Sequence, residues 1–233
     1  MTREQYIDTV FKTYRLVSVL SDRNGGRVYR LRHRTQGKDI VLRSFATPVV
    51  AYEVLRDVRS QNLSEIYDTI ALEDGQIVLE EYIDGVTVAQ VMESGHYHPS
   101  GAKRVLSGVC RALSVLHSLD LVHRDVKPEN VLVTAAGRVV LIDFNASRKV
   151  AVGCKDTAVM GTVGYVSPEQ LGVSQSDSRT DVYAVGVLLN VMMTGKHPSE
   201  QLARGHAGRL VRKCTNINPG ERFQTAEQLL RAL

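Results

Sequence analysis

The chain has 233 residues, 43% hydrophobic and 23% charged, and its net charge is 29 − 25 = +4. This composition suits one large globular domain or two small ones and excludes disorder, collagen-like repeats and a disulfide miniprotein. Cys110, Cys154 and Cys214 are odd in number, widely spaced and lack a CxxC pair, which fits a reducing compartment. The slight basic excess is too weak to indicate nucleic acid. The N-terminus is polar and has no apolar stretch of the signal-peptide kind. The longest apolar run, Val182 to Met193, is broken by Asn190 and falls short of the ~18 residues of a bilayer span. The expectation is a cytoplasmic chain without membrane contact or a nucleic-acid partner.

The first eighty residues read as strand-rich. Along 27–34, Val28, Arg30 and Arg32 alternate with Tyr29 and Leu31. A turn at Gly37 leads to a strand over 39–45, and Asp74-Gly75 leads to another over 76–83. Between them Val50, Ala51, Val54, Leu55 and Val58 form one helical stripe, so a single helix is expected on this sheet. Beyond Gly85 the pattern turns helical. Ser100 is placed to N-cap a helix whose buried stripe is Val105, Val109, Leu113 and Leu116. Short strands over 131–134 and 139–142, a long polar loop, and two closing helices, Asp181–Met193 and Thr225–Leu233, complete the chain.

The chemistry concentrates in His123-Arg124-Asp125-Val126-Lys127-Pro128-Glu129-Asn130, followed thirteen residues after Asn130 by Asp143-Phe144-Asn145. Phosphoryl transfer needs such a set: a carboxylate to take the hydroxyl proton, a lysine to offset the phosphoryl charge, and Asn and Asp oxygens for Mg²⁺. A lone His-Arg-Asp would read as surface charge. The full string with the downstream Asp-Phe at this spacing does not.

On these motifs the sequence resembles the eukaryotic-like protein kinase superfamily, in particular bacterial Ser/Thr kinases, over essentially its whole length. The resemblance implies an α+β, bilobal fold: one kinase domain over 1–233, with a small antiparallel-sheet N-lobe carrying one helix (1–80), a hinge (81–85) and a larger, mainly helical C-lobe (86–233). It implies Asp125 as catalytic base, Lys127 as the phosphate-contacting lysine, and Asn130 and Asp143 as metal ligands. It implies a nucleotide site drawn from Gly26, Val28, Val41, Arg43, Glu80, Glu81, Ile83 and Leu132. ATP, Mg²⁺ (or Mn²⁺) and protein substrates with Ser/Thr acceptors follow. Residues 161–169 look like the end of an activation segment, with Thr157 and Thr162 as phosphosite candidates and Arg124 as the receiver of a loop phosphate. Asp181, His123, and Glu169 with Arg222 fall on structural positions of the family.

The first eighty residues depart from the family pattern. Ser21, Arg23 and Gly26 occupy the three glycine positions of the phosphate loop, where a backbone without Cβ can close on phosphates. Arg23, Arg27, Arg30, Arg32 and Arg34 crowd this hairpin; they are read as a solvated strand face, with phosphate contact as the alternative. Arg43 replaces the lysine of the third strand, a non-conservative exchange, and alternation turns Lys38 to the opposite face. The helix-glutamate position falls on Ala51, while Glu53 lies roughly 135° from the stripe centre at 100° per residue and is expected in solvent. Glu80 falls at the gatekeeper position, where a carboxylate needs a partner; Arg43 is the nearest, and a solvent-tilted Glu80 is the alternative. Asn145 stands where the family has glycine. His96 and His98 lack a third metal ligand, and Met192 and Met193 read as core. An active Ser/Thr kinase is the first reading. A nucleotide-binding or scaffolding pseudokinase is the second, and a small-molecule kinase the third.

Overall fold

The computed structural model describes residues 1–23, 26–150, 161–171 and 176–233. The polypeptide forms two compact units, Met1–Ser60 with Ser64–Ile83, and Gln61–Leu63 with Asp84–Leu233. The main division between the units lies between Ile83 and Asp84. The short 61–63 segment belongs with the larger unit, because Leu141 N donates to Asn62 O (2.9 Å) and Asn62 Nδ2 donates to Val139 O (2.8 Å).

The first unit runs α1 (Arg3–Thr13), β1 (Tyr14–Arg23), β2 (Gly26–His33), β3 (Asp39–Phe45), α2 (Val50–Leu55), β4 (Ile66–Leu72) and β5 (Gly75–Glu81). The strands form an antiparallel sheet in the order β1-β2-β3-β5-β4. Two helices pack here, where the sequence pattern gives one. α1 is held by a capping box, Gln5 N donating to Thr2 Oγ1 and Thr2 N to Gln5 Oε1. It packs Tyr6, Ile7, Val10 and Phe11 against Tyr29, Leu31, Ile40, Leu42 and Ile77 on one sheet face. α2 ends at Leu55, short of Val58, and Val50 is 57% exposed. Tyr52 turns inward instead, fully buried beside Ala51 and Leu55, with its ring centroid 5.4 Å from Phe45. Burying an aromatic removes more apolar surface from water than burying a valine, so it decides which face of a short helix goes in.

The second unit runs β6 (Gly85–Thr87), α3 (Val88–Glu93), α4 (Pro99–Ser118), β7 (Leu121–Val122), β8 (Val131–Thr134), β9 (Val139–Leu141), β10 (Arg148–Lys149), α5 (Ser178–Thr194), α6 (Gly205–Cys214) and α7 (Ala226–Ala232). Its small sheets are β6-β8-β9 and β10-β7. The expected stripe of α4 is buried in full. The cap of α4 differs from expectation: Pro99 opens the helix after His98, because a proline lacks an N–H and suits the first helical position. Ser100 instead bonds the His98 ring (3.0 Å). α5 starts at Ser178, ahead of the expected Asp181, because Asp177 accepts from Arg179 N (2.8 Å). Thr225 is the cap of α7, not its first residue. α6 has no counterpart in the sequence pattern; Gly205 and Gly208 weaken its helical signal, although Leu210, Val211 and Cys214 form its buried face. At Gly186 on α5 a Cβ would stand 2.4 Å from Cys214 Cβ, so glycine is what allows α5 and α6 to approach. Met192 is fully buried, as core packing requires.

Candidate active site

The loop between β7 and β8 carries the site of the second unit. Asp125 is reached by three side chains. Lys127 Nζ stands 2.8 Å from Oδ2, Asn130 Nδ2 donates to Oδ2 (3.0 Å) and to the Asp125 carbonyl (2.8 Å), and Thr162 Oγ1 donates to Oδ1 (2.7 Å). Lys127 also donates to Thr162 Oγ1 (2.6 Å), which closes a ring of carboxylate, ammonium and hydroxyl. Burial alone would raise the Asp125 pKa, but the Lys127 and Thr162 hydrogen bonds outweigh it and hold the carboxyl below its ordinary range. Asp125 is therefore an ionised acceptor at neutral pH, with an ammonium and a hydroxyl within reach.

A buried acid shapes this loop. Asp181, in the first turn of α5 and fully buried, accepts from His123 N (2.9 Å) and Arg124 N (2.8 Å), and His117 Nε2 lies 2.9 Å from it. Burial pushes its pKa up, yet the His117 bond and the backbone N–H groups hold it below the ordinary carboxylate value. These bonds fix Arg124 at φ +70°, a left-handed conformation costing about 1–2 kcal/mol for a non-glycine. Gln170 Nε2 secures the same residue through its carbonyl (3.1 Å). Gly161, at φ +126°, lies where a Cβ would meet Arg124 O at 2.9 Å, so glycine admits the 161–171 segment beside the loop. His123 is fully buried: its Nδ1 accepts from Asp125 N (3.3 Å), its Nε2 faces Ile142 O (3.2 Å), and its ring meets Phe144 edge-on at 5.7 Å. It is a packed structural residue.

Asp143 is a further left-handed non-glycine position, at φ +69°. The left-handed residue of this turn is thus Asp143, and Asn145, the glycine replacement, does not take up that conformation. Asn130 and Asp143 offer an amide oxygen and a carboxylate. The Asn130 amide nitrogen is engaged by Asp125, which leaves its Oδ1 as the donor toward a cation. A carboxylate and an amide oxygen suit a hard, octahedral divalent ion that completes its shell with phosphate oxygens and water. Among the described residues no three His, Cys, Asp or Glu side chains form a self-sufficient metal cluster.

Glu169 and Arg222 form a bidentate pair at 2.6 and 2.9 Å, both residues buried, with Thr180 Oγ1 donating to Glu169 (3.1 Å). This pair ties the 168–171 turn to the segment after α6. Thr157 and Cys154 lie outside the described residues. Cys110 and Cys214 are buried free thiols, and burial pushes the Cys110 pKa up to about 12.

In the first unit, Val28, Val41, Arg43 and Glu80 share the sheet face opposite α1. Val41 is paired with Glu80 and Arg43 with Val78, so Glu80 is the diagonal neighbour of Arg43. Arg43 Nε stands 2.6 Å from Glu80 Oε1, with both side chains buried, and Ser64 Oγ donates to Oε2 (3.4 Å). Glu80 is not tilted to solvent. The Tyr52 ring centroid lies 6.0 Å from the Arg43 guanidinium carbon. Ala51 is buried, while Glu53 and Lys38 are exposed. Ile83 is buried, Gly26, Glu81 and Leu132 are half-buried, and Glu81 Oε2 accepts from Glu65 N (3.2 Å). Arg30 and Arg32 are not a freely solvated face. Both pair with Asp39, Arg32 through Oδ1 and Oδ2, and these bonds lower the Asp39 pKa to about 2. Arg27 pairs with Asp22 (3.2 Å) and Arg34 bonds Phe11 O.

Sequence reasoning misses four participants: His117, Gln170, Ser64 and Tyr52. A polar residue beside a structural acid is a usable signal for Gln170, which directly follows Glu169. Ser64 and Tyr52 carry no motif.

A family model described as protein kinase domain matches residues 22–229. The chain is 36% identical over 126 residues to serine/threonine-protein kinase PknB of Mycobacterium tuberculosis, covering 52% of this chain and 20% of that protein. PknB of Mycobacterium leprae is 35% identical over 141 residues, covering 57% and 23%. A probable PknB of Lactococcus lactis is 27% identical over 197 residues, covering 81% and 31%. The matched stretches span less than a third of the length of these curated relatives.

Proposed function

The chain belongs to the protein kinase domain family, and we propose that it transfers the γ-phosphate of ATP to Ser/Thr hydroxyls of proteins, its own activation segment among them. ATP and a divalent metal come with membership of the family; Mg²⁺, with Mn²⁺ as a substitute, is the metal proposed here. When bound, the metal neutralises charge on the phosphates, and Asn130 and Asp143 are the residues that would hold it. The observation that carries the proposal is the Asp125 carboxylate with Lys127 at 2.8 Å and Thr162 at 2.7 Å. In this reading Asp125 orients the acceptor hydroxyl and takes its proton on a carboxylate oxygen. Lys127 offsets negative charge on the phosphoryl as it moves. Thr162 keeps Asp125 and Lys127 in register.

Serine or threonine as acceptor is supported by Lys127 two residues after Asp125 and by the PknB relatives, which are named serine/threonine-protein kinases. Thr157 and Thr162 are the proposed autophosphorylation sites, Thr162 holding Asp125 and Lys127 in register only while its hydroxyl is unmodified, with Arg124 as the cation that receives a loop phosphate. A cytoplasmic setting is supported by the two buried free thiols. No described helix is long and apolar enough to cross a membrane.

A nucleotide-binding module without efficient transfer is the second reading, and Arg43 in the lysine position is what favours it. A module without transfer has no need for the Asp125–Lys127–Thr162 ring. Incubation with labelled ATP and Mg²⁺ decides between the two. Label on the wild type that is absent from Asp125→Asn supports the kinase; a nucleotide-induced thermal shift without label supports the module.

A further inference from the structure

We infer that Glu80 is the positioning residue for Arg43, in place of the carboxylate a protein kinase draws from the helix that packs on this sheet, so that the carboxylate that sets the strand cation comes from within the sheet and not from α2. This rests on the kinase reading above.

The geometry excludes α2 as the source. Its inward residues are Ala51, Tyr52 and Leu55, and its one carboxylate, Glu53, is exposed. Glu80 is 3% exposed at the side chain, Arg43 is 7%, and they meet at 2.6 Å. A buried charge needs its partner, so neither position tolerates change alone. Both residues lie on adjacent central strands, and the fixed register between β3 and β5 sets their separation. Ser64 adds a bond to the second carboxylate oxygen, which limits rotation of Glu80.

The pair also accounts for arginine at this position. Glu80 holds Nε, the inner nitrogen of the fork. Arginine presents five N–H groups, so an anchor at Nε does not use up its donors. Lysine has one nitrogen and would have to share it between anchor and phosphate. In kinases that use a helix glutamate, moving the helix breaks the pair and switches the site off. Here the carboxylate anchor of Arg43 is not on α2, whose Tyr52 ring lies 6.0 Å from the guanidinium carbon, so a displacement of α2 leaves the ion pair itself in place.

The test compares binding of ATP·Mg²⁺ and of adenosine to the whole chain by calorimetry. Glu80→Gln should weaken ATP·Mg²⁺ at least about tenfold, the equivalent of ~1.4 kcal/mol, and leave adenosine affinity within about twofold. A general loss of structure would weaken both. Glu53→Gln should change neither. Arg43→Lys should lose as much as Glu80→Gln, and the double variant should lose little more, because the two act as one unit. If Glu80→Gln fails to fold by circular dichroism, Glu80→Asp decides: it keeps the charge but withdraws it by one methylene, and selective loss of ATP affinity is expected. A wild type that binds no ATP·Mg²⁺ overturns the kinase reading, and this inference with it. A wild type that binds and transfers, with Glu80→Gln or Glu80→Asp binding ATP as tightly, overturns the inference alone. Loss of ATP affinity in Glu53→Gln does the same.

Discussion

The two units treat their functional charges in opposite ways. In the second unit the backbone is bent around its charged groups: Arg124 and Asp143 are left-handed, and Asp181 accepts two consecutive N–H groups to hold the bend. In the first unit the backbone is an ordinary antiparallel sheet, and the buried charges meet across it. Arg43 is held by Glu80 of the neighbouring strand, while the inward face of α2 carries Ala51 and no carboxylate. A strained loop built around one acid leaves little room for exchange, because moving any donor releases the strain. A flat sheet face offers several neighbouring positions from which the same charge can be satisfied.

The largest effect is expected at Asp125. Asp125→Asn should lower transfer by about 10²–10⁴, the range of general-base contributions, with ATP affinity nearly unchanged. Asp143→Asn should weaken nucleotide binding only when the divalent metal is present. Equal loss of ATP binding in both variants would erase the division of labour assigned to the second unit.

Each unit also holds a buried arginine–carboxylate pair, and the two can be set against each other. Arg222→Ala strands Glu169 and should cost about 3–5 kcal/mol in urea unfolding, while ATP affinity of the folded fraction stays as in the wild type. Arg43→Ala should cost stability on the same scale and abolish tight ATP binding as well. If the two variants proved alike in nucleotide affinity, the pair in the sheet would be only structural.

A smaller effect concerns acid. Asp39, held near pKa 2 by Arg32 and Arg30, titrates below its unfolded value of about 3.9. Its contribution to stability is therefore complete above about pH 4 and is lost as the pH falls toward 2. Asp181, Asp125 and Glu169 are lowered as well, so their contributions share the sign: present at neutral pH, lost in acid. Acid titration by circular dichroism should show a shallower loss below pH 4 in Asp39→Asn than in the wild type. A steeper loss would contradict the assignment. The smallest effect is expected at Glu53. Glu53→Ala should change stability by no more than about 0.5 kcal/mol, as exposed positions usually do, and a melting curve checks it.

The local strings that name a chemistry were legible in the sequence: Asp125, Lys127, Asn130 and Asp143 at their spacing, the Glu169 and Arg222 partners, and the alternation of 27–34 and 39–45. Apart from the Glu169 and Arg222 partners, 53 residues apart and legible only through the family resemblance, these are short-range patterns, and the period of a strand or the order of a loop is written along the chain. α4 was legible for the same reason, since its stripe repeats on one face. α1 and α6 were not: one is largely polar and announced only by a Thr-x-x-Gln cap, the other is interrupted by two glycines. Which way α2 faces was also closed to the sequence, because the outcome depended on Phe45, at the end of the preceding strand, packing against Tyr52 once the loop between them had folded. The hairpin arginines found Asp39 through the pairing of β2 with β3; Arg43 was already the expected partner of Glu80, and the pairing of β3 with β5 decided it over a solvent-tilted Glu80. Local sequence determines which elements can form and which charges are carried. Which charge meets which is decided by strand register and burial, because the cost of an unpaired buried charge is felt only once the sheet has closed around it.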